Sequence, residues 1–391
     1  MKNQKIRVFM TGATGVMGAA GLKELCLKPE NYQVSVLARP SKKNQKMLKS
    51  FQEKGVDVVW GDLLDPVSLR RGIEEADIVL HVGGMVSPMA DHFPEKTMNV
   101  NVGSAKLISD IIKEIETLQP SREIKMVYIG SVSQYGTHMP PDHWGNSQTP
   151  ENPAKNDAYA ISKMRAEEAV RNAGLKKWVS IRQTSILHAG LLKNASNPVA
   201  FHTPLQGVLE WITTEDSGRL LERICSPEVP DSFWGRAYNA GGGKSFRLIN
   251  LDFERKILEA MGCPPPEKIF EPNWFATHNF HGMWFEDSDL LDNILHFRRP
   301  DSFDLALGRL KKSLPFYLRL APLAPAFIIK KFMRHVASHP SLGPLSWIKN
   351  NDLEKIETFW GSREAYDNIP DWENFKEIKL STTTPANEKN R

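Results

Sequence analysis

Apolar residues in the first half of the chain fall into short unbroken runs. Each run is followed by a longer stretch in which apolar positions recur with a helical period. IRVFMTG at 6–12 is the first run, and YQVSVLAR at 32–39, VDVVWGD at 56–62, ADIVLHVGG at 76–84, KMVYIGS at 125–131 and KWVSIRQTS at 177–185 repeat it. Short runs without alternation read as strands buried on both faces, the pattern of a parallel sheet. Between them, helices are predicted over Gly15 to Leu27, 66–75, 101–118 and 158–173. This βαβ rhythm predicts an α/β fold, a doubly wound parallel sheet covered by helices.

The rhythm loosens after residue 190. Helices are predicted over 205–225 and 246–261, and PDSFWGRAYNAGGG at 230–243 reads as a strand leaving a glycine turn. Residues 264–380 carry prolines and aromatics with helical stretches between them, and STTTPANEKNR has the composition of a disordered tail. The expected organisation is a dinucleotide-binding domain at 1–190, then a smaller substrate region with a C-terminal extension at 191–380, its strands free to return to the main sheet, and a disordered tail at 381–391.

Composition adds limits. Apolar residues at 41% and charged residues at 25% are ordinary globular values, so the chain has enough core to fold as predicted. A net charge of +4 is slight for 391 residues and does not point to nucleic acid. Cys26, Cys225 and Cys263 are far apart and odd in number, so neither a disulfide framework nor a cysteine metal site is expected, and a reducing compartment fits. The apolar start is too short for a signal peptide and no run approaches the roughly 20 apolar residues of a membrane span, so a cytoplasmic location is expected. Of the ten tryptophans only Trp60 lies in the first hundred residues, which puts the aromatic surplus where substrate would be recognised. The segment at 314–336 is apolar and basic. Pro315, Pro322 and Pro325 interrupt it, so packing on the body or a subunit is favoured over a membrane face, and membrane association is not expected.

Candidate chemistry begins at TGATGVMG, where Gly12, Gly15 and Gly18 lie between the first strand and its helix. Glycines there permit a tight turn, close approach to a pyrophosphate and close helix packing, and the helix start offers free N–H groups. Gly12, Thr14, Gly15, Val16, Met17 and Gly18 are the candidate contacts. The second strand ends at Arg39, with Lys42 and Lys43 beyond. A basic residue there suits a 2′-phosphate, which favours NADP over NAD. Asp62 and Leu63 follow the third strand as candidate adenine contacts, although Asp65 is better placed than Asp62 to cap the next helix. His81, Val82 and Gly83 close the fourth strand beside the expected cofactor path, where a lone histidine is more often packed than catalytic.

Ser131 ends the fifth run, at the sheet edge where open α/β sheets bind ligands. Tyr159 and Lys163 in DAYAISK are four apart and so share one helical face, with Asp157 placed to cap that helix. Tyrosine, with an ordinary pKa of about 10, is a poor base at neutral pH, and a neighbouring ammonium favours its phenolate. A serine holding the substrate oxygen while the tyrosine exchanges a proton suits hydride chemistry over a nicotinamide. No G-x-S-x-G elbow surrounds Ser131, which disfavours a serine hydrolase.

These motifs together resemble the extended short-chain dehydrogenase/reductase family, which includes NAD-dependent epimerase/dehydratases and 3β-hydroxysteroid or dihydroflavonol-type reductases. TGATGVMG resembles the family's TGxxGxxG, GDL at 61–63 and HVGG at 81–84 its adenine and ribose contacts, YIGSVSQYG its serine strand and YAISK its YxxxK. The resemblance runs from residue 6 to about 260 and implies a Rossmann-type sheet, a catalytic Ser131, Tyr159 and Lys163 with Tyr159 as acid/base, and a homodimer. There are departures: Val100 stands where the family commonly has asparagine, with Asn99 and Asn101 on either side, and Gln183 replaces a frequent proline. Val132 and Ser133 follow Ser131 where sugar-nucleotide dehydratases often carry an acidic pair, which argues against a 4,6-dehydratase. The preferred expectation is an NADP-dependent reductase of a ketone or aldehyde, with a small and, from the aromatic richness, apolar substrate. A sugar-nucleotide epimerase is the alternative, and a non-catalytic nucleotide-binding regulator the third reading. His138, His143 and Trp144 in the loop at 136–144, and Phe201, His202 and Trp211, are candidate pocket residues or ordinary loop and core.

Overall fold

The computed structural model describes residues 5–87, 89–193, 197–312 and 324–385. Its central feature is a seven-stranded sheet in which every recorded pairing is parallel. In chain order the first half runs β1 (Ile6–Thr11), α1 (Val16–Leu25), β2 (Tyr32–Ala38), α2 (Lys42–Gln52), β3 (Asp57–Trp60), α3 (Pro66–Ile73), β4 (Ile78–His81), α4 (Met89–His92), α5 (Pro94–Leu118), β5 (Lys125–Ser131), β6 (Trp144–Gly145), α6 (Ala158–Asn172) and β7 (Trp178–Gln183). It continues with β8 (Ile186–Leu187), α7 (Ala189–Lys193), β9 (Val208–Glu210), β10 (Ile212–Thr213), α8 (Thr214–Ile224) and β11 (Arg236–Ala240). The sheet order is β11-β7-β5-β4-β1-β2-β3. The chain winds outward from β1 in both directions, so the topological switch point lies between β1 and β4, where doubly wound folds bind ligands. This is the Rossmann-type fold expected.

Alternate residues of each strand feed the two faces. Val8 and Met10 join a core with Leu22, Leu25, Leu220, Leu221 and Ile224 of α1 and α8. Phe9 faces the other way, into a core with Ile73, Ile108, Ile112, Ala166 and Val170 of α3, α5 and α6. Local signals set several helix starts. Asp65 accepts from the N–H groups of Val67 and Ser68, with Pro66 in the first turn of α3, and Asp157 accepts from Ala160 at the start of α6.

The structure corrects the expected helix at 205–225. Residues 208–213 are two short strands, and the helix is Thr214–Ile224. The Thr213 side chain caps it by accepting from Asp216 N at 3.0 Å. Glu210, on β9, is fully buried and accepts from Arg247 Nε at 2.9 Å, Ser288 Oγ at 2.6 Å and Gly243 N at 2.9 Å. That tertiary knot holds the segment extended. The helix expected at 101–118 begins earlier, at Pro94.

The second half is tied into the first. β11 returns to the main sheet beside β7, and Leu291, Leu295 and Phe297 enter the core under α1 and α8. The strand Trp284–Phe285 pairs with β6. The tail expected to be disordered from 381 is held over its first residues, with Thr382 O accepting from Arg247 Nη1 at 2.8 Å and Thr384 buried. Residues 386–391, and Pro315 and Pro322 of the 314–336 segment, lie outside the described residues. Among the described residues no helix is long and apolar enough to cross a membrane.

Candidate active site

The glycine loop is close-packed. Gly12 has φ +76°, and a Cβ there would lie 2.5 Å from Gly83 N, while one on Gly18 would lie 2.1 Å from Gly12 O. Neither space admits a side chain, because the obstacles are main chain. Gly15 is exposed and opens α1 with no side-chain cap and no acidic residue in the first turn. The helix start therefore presents free N–H groups and positive field at the switch point, which fits a pyrophosphate. Thr14 is half-buried and Val16 exposed, whereas the Met17 side chain packs into the main core and leaves only its backbone for a ligand.

Arg39 is exposed at the end of β2 and makes no ion pair among the described residues, while its carbonyl accepts from Asn44 Nδ2 at 2.9 Å. Its guanidinium is free for an anion. The exposed Asp62 carboxylate accepts from Leu64 N at 3.1 Å and Asp65 caps α3, so Asp62 is not the helix cap. Leu63 packs partly buried near Gly83. Val82 is half-buried against the main core.

His81 is packed and satisfied. Thr11 Oγ1 accepts from Gly83 N at 3.1 Å and so turns its hydrogen to His81 Nδ1 at 2.8 Å. His81 Nε2 then donates to Ser104 Oγ at 3.1 Å. Full burial pushes its pKa down to about 3, and the Lys163 charge acts in the same direction. The ring is neutral, and through Thr11 it braces Gly83.

Ser131, at the end of β5, is buried, and its hydroxyl accepts from Ser133 Oγ at 2.9 Å and Ser133 N at 3.2 Å. With those two acceptor positions filled, its own hydrogen points elsewhere, and the side chain is near enough to Tyr159 to favour the phenolate. Burial pushes Tyr159 up to about 12, partly offset by Ser131. Lys163, one turn along α6, is buried and donates to Ile129 O at 2.6 Å. Burial pushes its ammonium down to about 8, with Glu167 opposing the shift. The structure thus brings Ser131, Tyr159 and Lys163 together from β5 and α6.

Residues outside the expected set hold this shelf. Asn101 Oδ1 accepts from Met85 N at 2.7 Å, and its Nδ2 donates to Met85 O at 3.0 Å and to Ser162 Oγ at 2.8 Å. Asn101, not the exposed Asn99, is the amide that joins α5 to α6. Glu167, one turn beyond Lys163, accepts from Arg182 Nη2 at 2.6 Å, Ser180 Oγ at 2.6 Å and Gln134 Nε2 at 2.9 Å. Arg182 also bonds Glu151 and Tyr135 Oη, so β7, α6 and the turn after β5 are locked together. His281 Nδ1 lies 3.4 Å from the capping carboxylate of Asp157.

The other candidates are mostly structural. His143 is buried between Trp144 and Trp284, and Trp144 lies under the Arg247 guanidinium. His138 is half-buried on the loop, Nδ1 3.3 Å from Asp142 O. Phe201 is core, Trp211 stacks on Phe253 at 4.4 Å, and His202 Nε2 meets Leu342 O at 2.8 Å. The aromatic surplus fills the second half's cores.

Comparison with known proteins agrees with this architecture. Residues 8–186 match the family described as "NAD dependent epimerase/dehydratase family". The matched stretch takes in six of the seven strands of the main sheet, all but β11, and contains Ser131, Tyr159 and Lys163. Uncharacterized protein 052L of frog virus 3 (isolate Goorha) is 25% identical over 169 residues, 43% of this chain and 45% of that protein. The matched stretches span less than half the length of the curated relatives. A dTDP-glucose 4,6-dehydratase from Bacillus anthracis, solved in complex with NAD, superposes with TM-score 0.62 at 16% identity over 78% of this chain and 96% of that one. A Thermus thermophilus UDP-glucose 4-epimerase complex with NAD gives TM-score 0.60 at 18% identity over 81% of this chain and 100% of that one. At these identities the superpositions establish the fold.

Proposed function

We propose that the chain is an NADP-dependent oxidoreductase that reduces a ketone or aldehyde, or in reverse oxidises the secondary alcohol. The observation that carries this reading is the meeting of Ser131, at the end of β5, with Tyr159 and, one turn along α6, Lys163. The free start of α1 and the glycine loop would hold the pyrophosphate, Asp62 and Leu63 the adenine side, and Arg39 a 2′-phosphate. NAD remains the family's general cofactor, and the dehydratase and epimerase structures above contain it. We assign residues 1–190 to dinucleotide binding and 191–380 to substrate binding.

A bound nicotinamide supplies or accepts the hydride. Tyr159, with its proton affinity raised by burial, is neutral at pH 7 and gives its proton to the carbonyl oxygen. Ser131 holds that oxygen with its remaining hydrogen, and the Lys163 ammonium stabilises the phenolate as it forms. The buried turn after Ser131 contains Val132, Ser133, Gln134 and Tyr135 and no carboxylate, which argues against elimination chemistry.

The test is NADPH oxidation against a panel of ketones and aldehydes, with Tyr159→Phe beside the wild type. The expected loss in turnover is about 10²–10⁴-fold with NADPH affinity unchanged. Full turnover in the variant would refute the assignment. A sugar-nucleotide epimerase is the second reading, favoured by the fold shared with the UDP-glucose 4-epimerase. It requires tightly retained nucleotide and no net NADPH consumption.

A further inference from the structure

The helix Ala326–Ala337 has two apolar stripes, and the fold uses one. Ile329 and Met333 pack partly buried, and Val336 and Ala337 fully buried, on the cluster containing Phe270 and Trp274. Lys330 pairs with Glu271 and pins that side. The other side is Phe327, Ile328 and Phe332, which are 71%, 48% and 49% exposed. Three large apolar side chains on adjacent turns of one helix form a contiguous patch, unlike singly scattered surface residues. Exposed Lys331, Arg334 and His335 share this outer side, and Lys331 and Arg334 make no ion pair among the described residues.

Charge says what the patch fits. Between Asp304 and Asp352 the sequence holds eight lysines and arginines and no acidic residue. The helix itself carries Lys330, Lys331 and Arg334 and no acidic residue, and with Lys330 paired to Glu271 the exposed Lys331 and Arg334 leave positive charge beside the apolar side chains. We propose that the outer face of Ala326–Ala337 docks the protein on an anionic phospholipid surface. The helix lies in the interface plane, with Phe327, Ile328 and Phe332 entering the acyl boundary and Lys331 and Arg334 meeting lipid phosphates. Its 12 residues are far too few to span a bilayer. One side of the helix packs on the body as expected, the outer side takes the membrane reading that the sequence placed second, and the proposal does not rest on the reductase reading.

The test is co-sedimentation of the full chain with phosphatidylcholine vesicles, with and without about 30% phosphatidylglycerol, at about 0.1 M salt. The wild type pellets with the anionic vesicles only. Phe327→Ser/Ile328→Ser/Phe332→Ser lowers partitioning at least about tenfold. Lys331→Glu/Arg334→Glu does the same, because each cation near such a surface contributes about fivefold. Melting temperature and NADPH binding stay unchanged in both variants, since the altered side chains face outward. Wild type that stays in the supernatant, equal binding to neutral vesicles, or a serine variant that binds like wild type overturns the proposal. A serine variant that turns a wild-type oligomer into monomers, with no vesicle binding by either, overturns it in favour of a subunit interface.

Discussion

Replacing Lys163 with methionine keeps the length of the side chain and removes its charge. In the cofactor-free protein the ammonium is buried, and its pKa falls from 10.5 to about 8. At about 1.4 kcal/mol per pKa unit, holding Lys163 charged costs the fold about 3 kcal/mol at pH 7. The folded value lies below the unfolded one. The penalty is therefore fully present below pH 8, fades as pH rises toward 10.5, and wild-type stability gains through that window. Methionine loses the hydrogen bond to Ile129 O at 2.6 Å, worth about 1–2 kcal/mol. Lys163→Met is thus expected to be more stable than wild type by about 1–2 kcal/mol at pH 7, and less stable above about pH 10. Urea unfolding of both proteins without nucleotide, followed by tryptophan fluorescence at several pH values, measures the difference, and groups common to both cancel. A variant less stable at pH 7, or a difference that does not change with pH, would refute the burial argument. Carbonyl reduction by the variant is expected to be lost even as stability rises.

Three further perturbations probe other parts of the site. Arg39→Asp removes the free cation at the end of β2 and supplies a ribose-gripping carboxylate; NADPH affinity should fall more than about tenfold relative to NADH, by fluorescence titration. Gly18→Ala drives a Cβ to 2.1 Å from Gly12 O, so the loop must open. A stability loss of about 1–3 kcal/mol and at least tenfold weaker dinucleotide binding should follow, by thermal melts and titration. Arg182→Met strips Glu167 of a 2.6 Å partner in a buried site and should cost about 3–5 kcal/mol, seen as a melting temperature lower by about 10 °C.

How far the sequence was readable depends on how local the signal was. Of the six strand runs from Ile6 to Gln183, β1, β4, β5 and β7 are buried on both faces and even the edge strand β3 keeps an apolar run, and the caps Asp65 and Asp157 act within three residues, so all were legible. Tyr159 and Lys163 were legible because i,i+4 spacing is a property of one helix. Asn99 and Asn101 were not separable, because the choice depends on which face of α5 meets Met85 and Ser162. Glu167 and Arg182 were missed, although Glu167 lies one turn past Lys163, because their pairing spans α6 and β7. The same holds for Glu210. Its partners Gly243, Arg247 and Ser288 are distant in sequence, and their pull turned a helical pattern at 208–213 into strands. The aromatic surplus read as belonging to a substrate region, with Trp211 undecided between pocket and core, whereas Trp211, Trp274, Trp284, Trp347 and Trp360 fill cores that carry no periodic signature.

The central claim is a dissociable nicotinamide cofactor working with Tyr159. It is tested most directly by denaturing the purified protein, quantifying any released nucleotide, and titrating fresh protein with NADPH and NADH. The account predicts little retained nucleotide and clear preference for NADPH. Stoichiometric retained NAD would contradict it, overturning the role given to Arg39 and making an internal redox cycle the better reading. Binding of neither nucleotide would remove the enzyme assignment altogether.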